Sequence, residues 1–316
     1  MKKIFFVLQS LPIILVSCIM QHEKESLEFT DYPNLQIGFS TQNFQKAITP
    51  DVEGLAEVIS FASESGFDFI QLRDNLVTLS AQTCKILADV AKTNNIKIIY
   101  EIQKSPLDAD FREVFERAMK NMDFFPDPGI LRTLVSNSEF TDNNSKIGWN
   151  KDEFFELVEI VNDCAQISKS KNVQLIVENF NEPFFGDNLS FFGLSDFFAN
   201  TSHIGFQFDM SNPYSRTSRK KADPEYIIEY MSKMENRWIV THLKTIGNVG
   251  GIMQNVISEN PIPVEKIIEI MGKKNVKYVS LELASADNKQ ECFNNHISSI
   301  NYLKEKGILK KGFYTF

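Results

Sequence analysis

The sequence predicts one α/β domain built as a closed (β/α)₈ barrel, the TIM-barrel fold. Eight short, apolar, strand-like runs alternate with eight stretches of helical periodicity along the chain. Strict alternation of this kind predicts a parallel sheet, and eight strand–helix units predict that the sheet closes on itself. The order of side chains within the strands supports the same architecture.

Each predicted unit begins with a strand and continues into a helix. The strands are predicted at residues 35–39, 67–72, 96–102, 130–135, 173–178, 204–209, 238–242 and 278–283. The helices are predicted at residues 51–65, 80–93, 109–121, 151–169, 194–200, 224–235, 263–273 and 288–305. Two helices begin with a proline and an acidic residue, at 50–51 and 224–225, which favours a helix start because a missing N–H is harmless there and acid suits the positive helix end.

Side chains alternate between the two faces of a strand, and here the two sets differ in character. In the run 173–178, one set is Val173, Leu175 and Val177, and the other ends in Glu178. The runs 204–209 and 278–283 divide in the same way. We therefore expect the apolar sets to pack under the helices and the mixed sets to point into the barrel.

Four polar residues lie at the ends of the last four strands, in the inward phase: Glu178, Asp209, His242 and Glu282. Consecutive members are about 30–40 residues apart, which is the length of one βα unit. The carboxyl ends of barrel strands meet at one rim, where barrel enzymes place their chemistry. Three carboxylates and an imidazole at that rim predict a divalent-metal site, because burying them together is costly without a cation.

Composition indicates a globular protein and argues against one class of partner. The chain of 316 residues is 43 % hydrophobic and 23 % charged, which is typical of a globular protein with a large core. Its net charge of −8 argues against a nucleic-acid partner, since phosphate binding needs an excess of Lys and Arg.

The N-terminus predicts export. Lys2 and Lys3 precede an apolar stretch at 4–16, as in a secretory signal peptide. The ending Leu-Val-Ser-Cys at 15–18 resembles a bacterial lipobox, which implies cleavage before Cys18 and a lipid on that residue. We expect a signal peptide at 1–17, a tether at 18–33, a barrel at 34–316, and a mature protein anchored to a bacterial membrane. An ordinary signal peptide or a short anchor helix is the alternative.

The strand ends resemble a known group of barrels, the xylose isomerase-like superfamily of sugar phosphate isomerases and epimerases. The motifs that carry the resemblance are Val177-Glu178-Asn179, Phe208-Asp209, Thr241-His242-Leu243-Lys244 and Leu281-Glu282. The resemblance covers about residues 35–307. It implies that Glu178, Asp209, His242 and Glu282 bind one divalent ion (Mn²⁺, Mg²⁺, Co²⁺ or Zn²⁺), and that Glu178 and Glu282 also carry protons on opposite faces of a sugar.

Three positions depart from the patterns common in that group. Asn212 stands where many of its epimerases have a histidine, Thr245 where an aspartate is usual, and Gln71 where many relatives have a glutamate. The resemblance therefore implies the fold and the metal ligands, and it leaves the substrate open.

Arg73, Arg132, Asn212 and Lys244 are candidate substrate-binding residues near the predicted rim. The alternative for the three cationic side chains is ion pairing with Glu101 or with the metal ligands. An aromatic stretch at 180–185, with Phe191 and Phe192 beyond it, is a candidate wall for a sugar ring, or else packs as a loop.

Three functions remain open from the sequence. The first is an isomerase or epimerase that moves a proton next to a carbonyl through an enediolate, on an unphosphorylated sugar because export favours one. The second is a lyase or hydrolase that cleaves 3-keto-glycosides by β-elimination. The third is a sugar-binding lipoprotein without catalysis. An abasic-site endonuclease shares the barrel but needs several more histidines at the rim than this chain, with four in all, provides.

Overall fold

The computed structural model describes residues 24–49, 51–74, 79–135, 148–180, 192–212, 224–234, 237–245, 253–258 and 263–314. Its strands are β1 (Lys24–Phe29), β2 (Gln36–Ser40), β3 (Phe69–Arg73), β4 (Lys97–Glu101), β5 (Ile130–Leu134), β6 (Gln174–Glu178), β7 (Gly205–Asp209), β8 (Trp238–Leu243), β9 (Tyr278–Leu281) and β10 (Leu309–Tyr314). Its helices are α1 (Val52–Glu64), α2 (Ala81–Thr93), α3 (Phe111–Asn121), α4 (Lys151–Ser170), α5 (Leu194–Asn200), α6 (Pro224–Lys233), α7 (Val264–Lys273) and α8 (Lys289–Glu305).

Strands β2 to β9 form a closed parallel barrel. Each strand is hydrogen-bonded to the next, and β9 pairs with β2 to complete the circle. A helix follows each barrel strand in the chain, so the architecture is a single (β/α)₈ barrel. The fold expected from the sequence is confirmed, and the predicted strands and helices agree with the observed ones to within about two residues at their ends.

The strand phases are as expected. Leu175 and Val177 of β6 belong to the large core between the barrel and its helices. A second cluster fills the interior of the barrel and consists of Phe69, Ile99, Ile130, Ile176, Val240 and Tyr278. Gly38 makes room for it, because a Cβ there would lie 2.7 Å from the Phe69 ring. The barrel interior is therefore packed beneath the rim.

The N-terminal stretch corrects one expectation. Residues 24–29 were expected within the tether, whereas β1 forms an antiparallel two-stranded sheet with β10. Leu27 and Phe29 of β1 are buried in the core. A two-stranded pairing between the two ends of a chain has no local signal, and the buried residues are too few to give a clear alternation.

Cys84, Cys164 and Cys292 are free and buried, as small apolar side chains usually are. No helix within the described ranges has the length and apolar character needed to cross a membrane.

Substitution of Phe29 tests whether β1 is part of the folded domain. Phe29 is fully buried, so we expect Phe29→Ala to lower the free energy of unfolding by about 3–5 kcal/mol. Phe155→Ala is the matched control because that ring is 49 % exposed, and its loss is expected to cost about 1 kcal/mol or less. Urea unfolding of the two variants measures both values. Equal effects would show that residues 24–29 behave as a tether.

Candidate metal centre

The four polar residues at the ends of β6 to β9 meet at the carboxyl rim of the barrel. Glu178, Asp209, His242 and Glu282 each offer one ligand atom, and these atoms all lie within 4.8 Å of one another. All four side chains are buried. Glu178 and Asp209 are the last residues of their strands, and Glu282 directly follows β9, so the strand ends themselves bring the cluster together.

The atoms that face one another in this cluster fit a divalent ion. His242 Nδ1 lies 3.3 Å from Glu178 Oε1 and 3.5 Å from Asp209 Oδ2, and it also contacts Glu282 Oε2. His242 Nδ1, Asp209 Oδ2 and Glu282 Oε2 are buried without a well-formed hydrogen bond, although they contact one another and the two carboxylate oxygens contact Lys244. Carboxylates buried this close together are costly unless cations compensate them. Three carboxylates with one imidazole suit Mn²⁺, Mg²⁺, Co²⁺ or Zn²⁺.

A chain of hydrogen bonds directs His242 Nδ1 toward the carboxylates. Gln71 Nε2 donates to Glu101 Oε1 over 2.8 Å, which fixes the orientation of the Gln71 amide. Gln71 Oε1 therefore faces His242 Nε2 at 2.8 Å and accepts a hydrogen bond from the Nε2–H group. With Nε2 protonated, Nδ1 is the ring nitrogen that can bind an ion, which is the arrangement by which outer residues orient histidine ligands.

Asp209 is held so that one oxygen is reserved for the cluster. Its Oδ1 accepts from the backbone N–H groups of Ser211 and Asn212, each over 2.9 Å, and from the Ser211 hydroxyl over 3.1 Å. Asn179 bridges the main chain of Asp209, accepting from its N–H over 2.8 Å and donating to its carbonyl over 3.0 Å. The remaining oxygen, Oδ2, points at His242.

In the described part of the chain, three cationic side chains lie around the cluster. Lys244 Nζ lies 2.5 Å from Asp209 Oδ2 and 3.0 Å from Glu282 Oε2. Arg132 Nε lies 3.2 Å from Glu178 Oε2, and Arg132 Nη2 lies 2.9 Å from Glu101 Oε1. Arg73 Nε lies 3.5 Å from Glu101 Oε2. The structure thus shows ion pairs for all three residues, the alternative that the sequence left open.

Burial and these charges act against each other in setting the pKa values. Burial alone would raise the pKa of Asp209, but the Lys244 ammonium and His242 outweigh it and lower the pKa to about 2. In the same way Lys244 and His242 hold the pKa of Glu282 well below its usual value. Arg132 and His242 lower the pKa of Glu178 despite its burial. All three carboxyl groups are therefore ionised at neutral pH.

His242 responds in the opposite direction. Burial lowers the pKa of its imidazole, but the carboxylates of Glu282 and Glu178 outweigh this and raise the pKa well above the usual value. His242 therefore holds a proton on Nδ1 at neutral pH when no ion is bound. An ion that binds Nδ1 displaces that proton, so we expect binding to weaken as the pH falls.

Of the other candidate residues, some lie within the described ranges and some lie outside them. Asn212 is buried, and its side chain donates to the Asn179 carbonyl over 3.0 Å, so it supports the loop that holds Asp209. Phe192 stacks on Phe154 with ring centroids 4.2 Å apart, which is loop packing. Cys18 and the aromatic residues at 181–191 lie outside the described residues.

Gln207 also contacts the cluster, although the sequence pattern did not single it out. Gln207 lies in β7 between Gly205 and Asp209, and its Nε2 donates to Glu178 Oε2 over 3.0 Å. Its Oε1 accepts from Gln71 over 2.6 Å, so it links Glu178 to the residues that orient His242. The signal was present in the sequence, because a glutamine in the inward phase of a buried strand needs polar partners.

Comparison with solved structures shows the same barrel. A D-psicose 3-epimerase from Clostridium cellulolyticum H10, solved with D-tagatose, has 13 % sequence identity and a TM-score of 0.61, over 86 % of this chain and 99 % of that one. A xylose isomerase-like TIM barrel protein from Mycobacterium smegmatis, in complex with magnesium, has 15 % identity and a TM-score of 0.63, over 86 % and 97 %. These likenesses show the fold, a single (β/α)₈ barrel similar to the barrels of these two proteins.

A third similar structure is a sugar phosphate isomerase/epimerase from Parabacteroides distasonis. It has 13 % identity and a TM-score of 0.59, over 87 % of this chain and 96 % of that one. No protein-family model and no curated protein matches the sequence. At these identities the likeness concerns the fold, and the chemistry has to be argued from the residues at the rim.

Thermal unfolding with and without an ion tests the metal centre. Ligand binding to the folded state stabilises it by about 2.7 kcal/mol at a free concentration of about 100 Kd. We expect Mn²⁺ to raise the melting temperature of the protein above its value in EDTA, and Asp209→Asn to lose most of that increase because it removes the Oδ2 charge. Asp163→Asn is the control, since Asp163 is an exposed carboxylate paired with Arg112. An equal increase in Asp209→Asn and in the unmodified protein would contradict the assignment.

Proposed function

We propose that this protein is a divalent-metal-dependent isomerase or epimerase that moves a proton on a carbon next to the carbonyl of an unphosphorylated sugar or sugar derivative. The observation that carries the proposal is the buried set of Glu178, Asp209, His242 and Glu282 at the rim of this barrel. The folds of the D-psicose 3-epimerase and of the sugar phosphate isomerase/epimerase support it.

The charges of the site suit such a reaction. Four buried carboxylates, Glu101, Glu178, Asp209 and Glu282, face the three cations Arg73, Arg132 and Lys244. A bound ion stabilises the negative charge that builds up on the sugar oxygens when a proton leaves the neighbouring carbon. With a divalent ion and neutral His242, the group carries one net positive charge, which favours those oxygens.

Glu178 and Glu282 are the proposed proton carriers. They extend from β6 and β9, with β7 and β8 between them in the barrel, so they approach the centre of the cluster from two sides. Both pKa values are lowered, so both groups are carboxylates able to accept a proton. One carboxylate removes the proton on one face of the sugar, and the other returns a proton on the opposite face, which inverts the carbon.

The cations around the cluster keep these carboxylates ionised and in place. Arg132 is fully buried and contacts Glu178, so we assign it to holding that carboxylate. Lys244 and Arg73 lie closer to solvent, with side chains 6 % and 11 % exposed. We propose that these two contact substrate oxygens. For Asn212, contact with substrate stays a prediction.

The proposed location is outside the cytoplasm. The leader at 1–17 and Cys18 support a lipid-anchored protein that faces the periplasm or the cell surface. Phosphorylated sugars are scarce there, which is why the proposed substrate carries no phosphate. Globomycin-sensitive processing and labelling of Cys18 with a radioactive fatty acid test this part of the proposal.

Incubation with a panel of ketoses and 3-keto-glycosides in D₂O tests the reaction. We expect deuterium at a carbon next to the carbonyl, with Glu178→Gln and Glu282→Gln each losing at least about 100-fold in turnover at saturating ion, in line with the contribution of a positioned acid or base. Lys289→Gln is the control because Lys289 is an exposed residue on α8 that pairs with Glu57.

The products separate the proposal from the other two functions. An isomer that carries deuterium supports an isomerase or epimerase, and a released sugar or aglycone indicates β-elimination from a glycoside. Binding of ion and sugar without deuterium uptake indicates a sugar-binding protein. Unchanged turnover in both glutamine variants would contradict the proposed roles of Glu178 and Glu282.

A further inference from the structure

A buried asparagine holds the main chain on both sides of Glu282. Asn43 lies in a one-turn 3₁₀ helix, Thr41–Phe44, that directly follows β2. Its Nδ2 donates to the Leu281 carbonyl over 3.0 Å, and its Oδ1 accepts from the Leu283 N–H over 3.0 Å. Leu281 and Leu283 are the neighbours of Glu282 in the chain.

This contact replaces strand pairing where the pairing stops. The ladder between β2 and β9 ends at the pair of Phe39 and Leu281, and β2 itself ends at Ser40. On the other side, the Glu282 N–H still donates to the Leu243 carbonyl of β8 over 3.0 Å. Beyond Leu281, the amide of Asn43 supplies the donor and the acceptor that a continuing β2 strand would have supplied.

His296 of α8 holds Asn43 in that orientation. Asn43 Nδ2 has one hydrogen for the Leu281 carbonyl and a second that faces His296 Nε2 at 2.9 Å. His296 Nε2 must therefore be the acceptor, and the proton lies on Nδ1, which donates to the Cys292 carbonyl of the same helix over 2.7 Å. Each polar atom of the pair thus has a complementary partner.

The surroundings of His296 keep its ring neutral and in place. The ring is buried, lies 4.6 Å from the Phe39 ring and stacks on Phe44 at 5.0 Å between centroids. Burial lowers the pKa of His296 to about 4. A neutral ring leaves Nε2 as an acceptor over the range of pH in which the protein is expected to work.

We propose that Asn43 and His296 are positioning residues that fix the carboxylate of Glu282 in the metal centre. They act through the main chain of 281–283 and do not belong to the set that contacts the ion. The inference rests on the proposed function in that Glu282 is taken as an ion ligand. Outer residues that orient ligands commonly change metal affinity about 10–100-fold when they are removed.

Asn43→Leu tests the role of the amide, with Asn121→Leu as the matched control. Asn121 is also buried, and its Nδ2 donates to the Leu79 carbonyl over 3.0 Å and to the Tyr100 hydroxyl over 3.1 Å, without a link to any of the four ligands. We expect Asn43→Leu to weaken Mn²⁺ binding at least about tenfold by titration calorimetry, and Asn121→Leu to leave the affinity unchanged. Both variants are expected to lower the melting temperature, so stability alone does not separate them.

Hydrogen exchange at the Leu283 amide gives a second readout that needs no ion. We expect this amide to exchange faster in Asn43→Leu and at the original rate in Asn121→Leu. If the unmodified protein binds Mn²⁺, unchanged affinity in Asn43→Leu overturns the inference. If the unmodified protein binds no Mn²⁺, the proposed function fails, and the exchange rate at Leu283 decides alone whether Asn43 holds this segment.

Substitutions at His296 keep the inference testable if Asn43→Leu does not fold. His296→Gln retains an acceptor oxygen for Asn43, and His296→Leu removes it. We expect Mn²⁺ affinity in His296→Gln to lie closer to that of the unmodified protein than in His296→Leu. Equal affinities in the two variants, with equal exchange at Leu283, would show that His296 only fills space.

Discussion

Charge balance at the carboxyl rim of the barrel is the constraint on which the site depends. Among the residues that the structure describes, four buried carboxylates exceed the three fixed cations around them by one, and His242 makes up the difference by holding a proton. A divalent ion replaces that proton and changes the net charge of the group from zero to +1. The same residues are therefore stable as a buried cluster before binding and attractive to negative charge after it.

The layers of the barrel interior maintain this balance. The apolar cluster that contains Phe69 and Tyr278 closes the barrel from below, which keeps water away and strengthens the interactions above it. Gln71 and Gln207 form the next layer, in which every amide has a carboxylate or an amide as partner. Because each layer orients the one above, the direction of His242 Nδ1 at the rim is set by residues deep in the barrel.

The sequence predicted what is local or periodic. The eight strands, their phase and the four rim residues follow from alternation and from the position of polar residues at strand ends. Pairing of β1 with β10 could not be predicted, since it joins the two ends of the chain through a few residues. Nor could the contact of Asn43 with Leu281 and Leu283, because it depends on where β2 stops and on one side-chain rotamer. The roles of Arg132 and Lys244 could be assigned only from their distances to the carboxylates. In the sequence, an inward cation fits equally well as an ion-pair partner or as a substrate contact.

Anomalous diffraction from crystals grown with Mn²⁺ is the most direct test of the metal centre. We expect one anomalous peak at the rim, in contact with Glu178, Asp209 and Glu282 and with the Nδ1 atom of His242, while Nε2 keeps its hydrogen bond to Gln71. A crystal without a peak among these four residues, or with the ion on Nε2, would contradict this assignment.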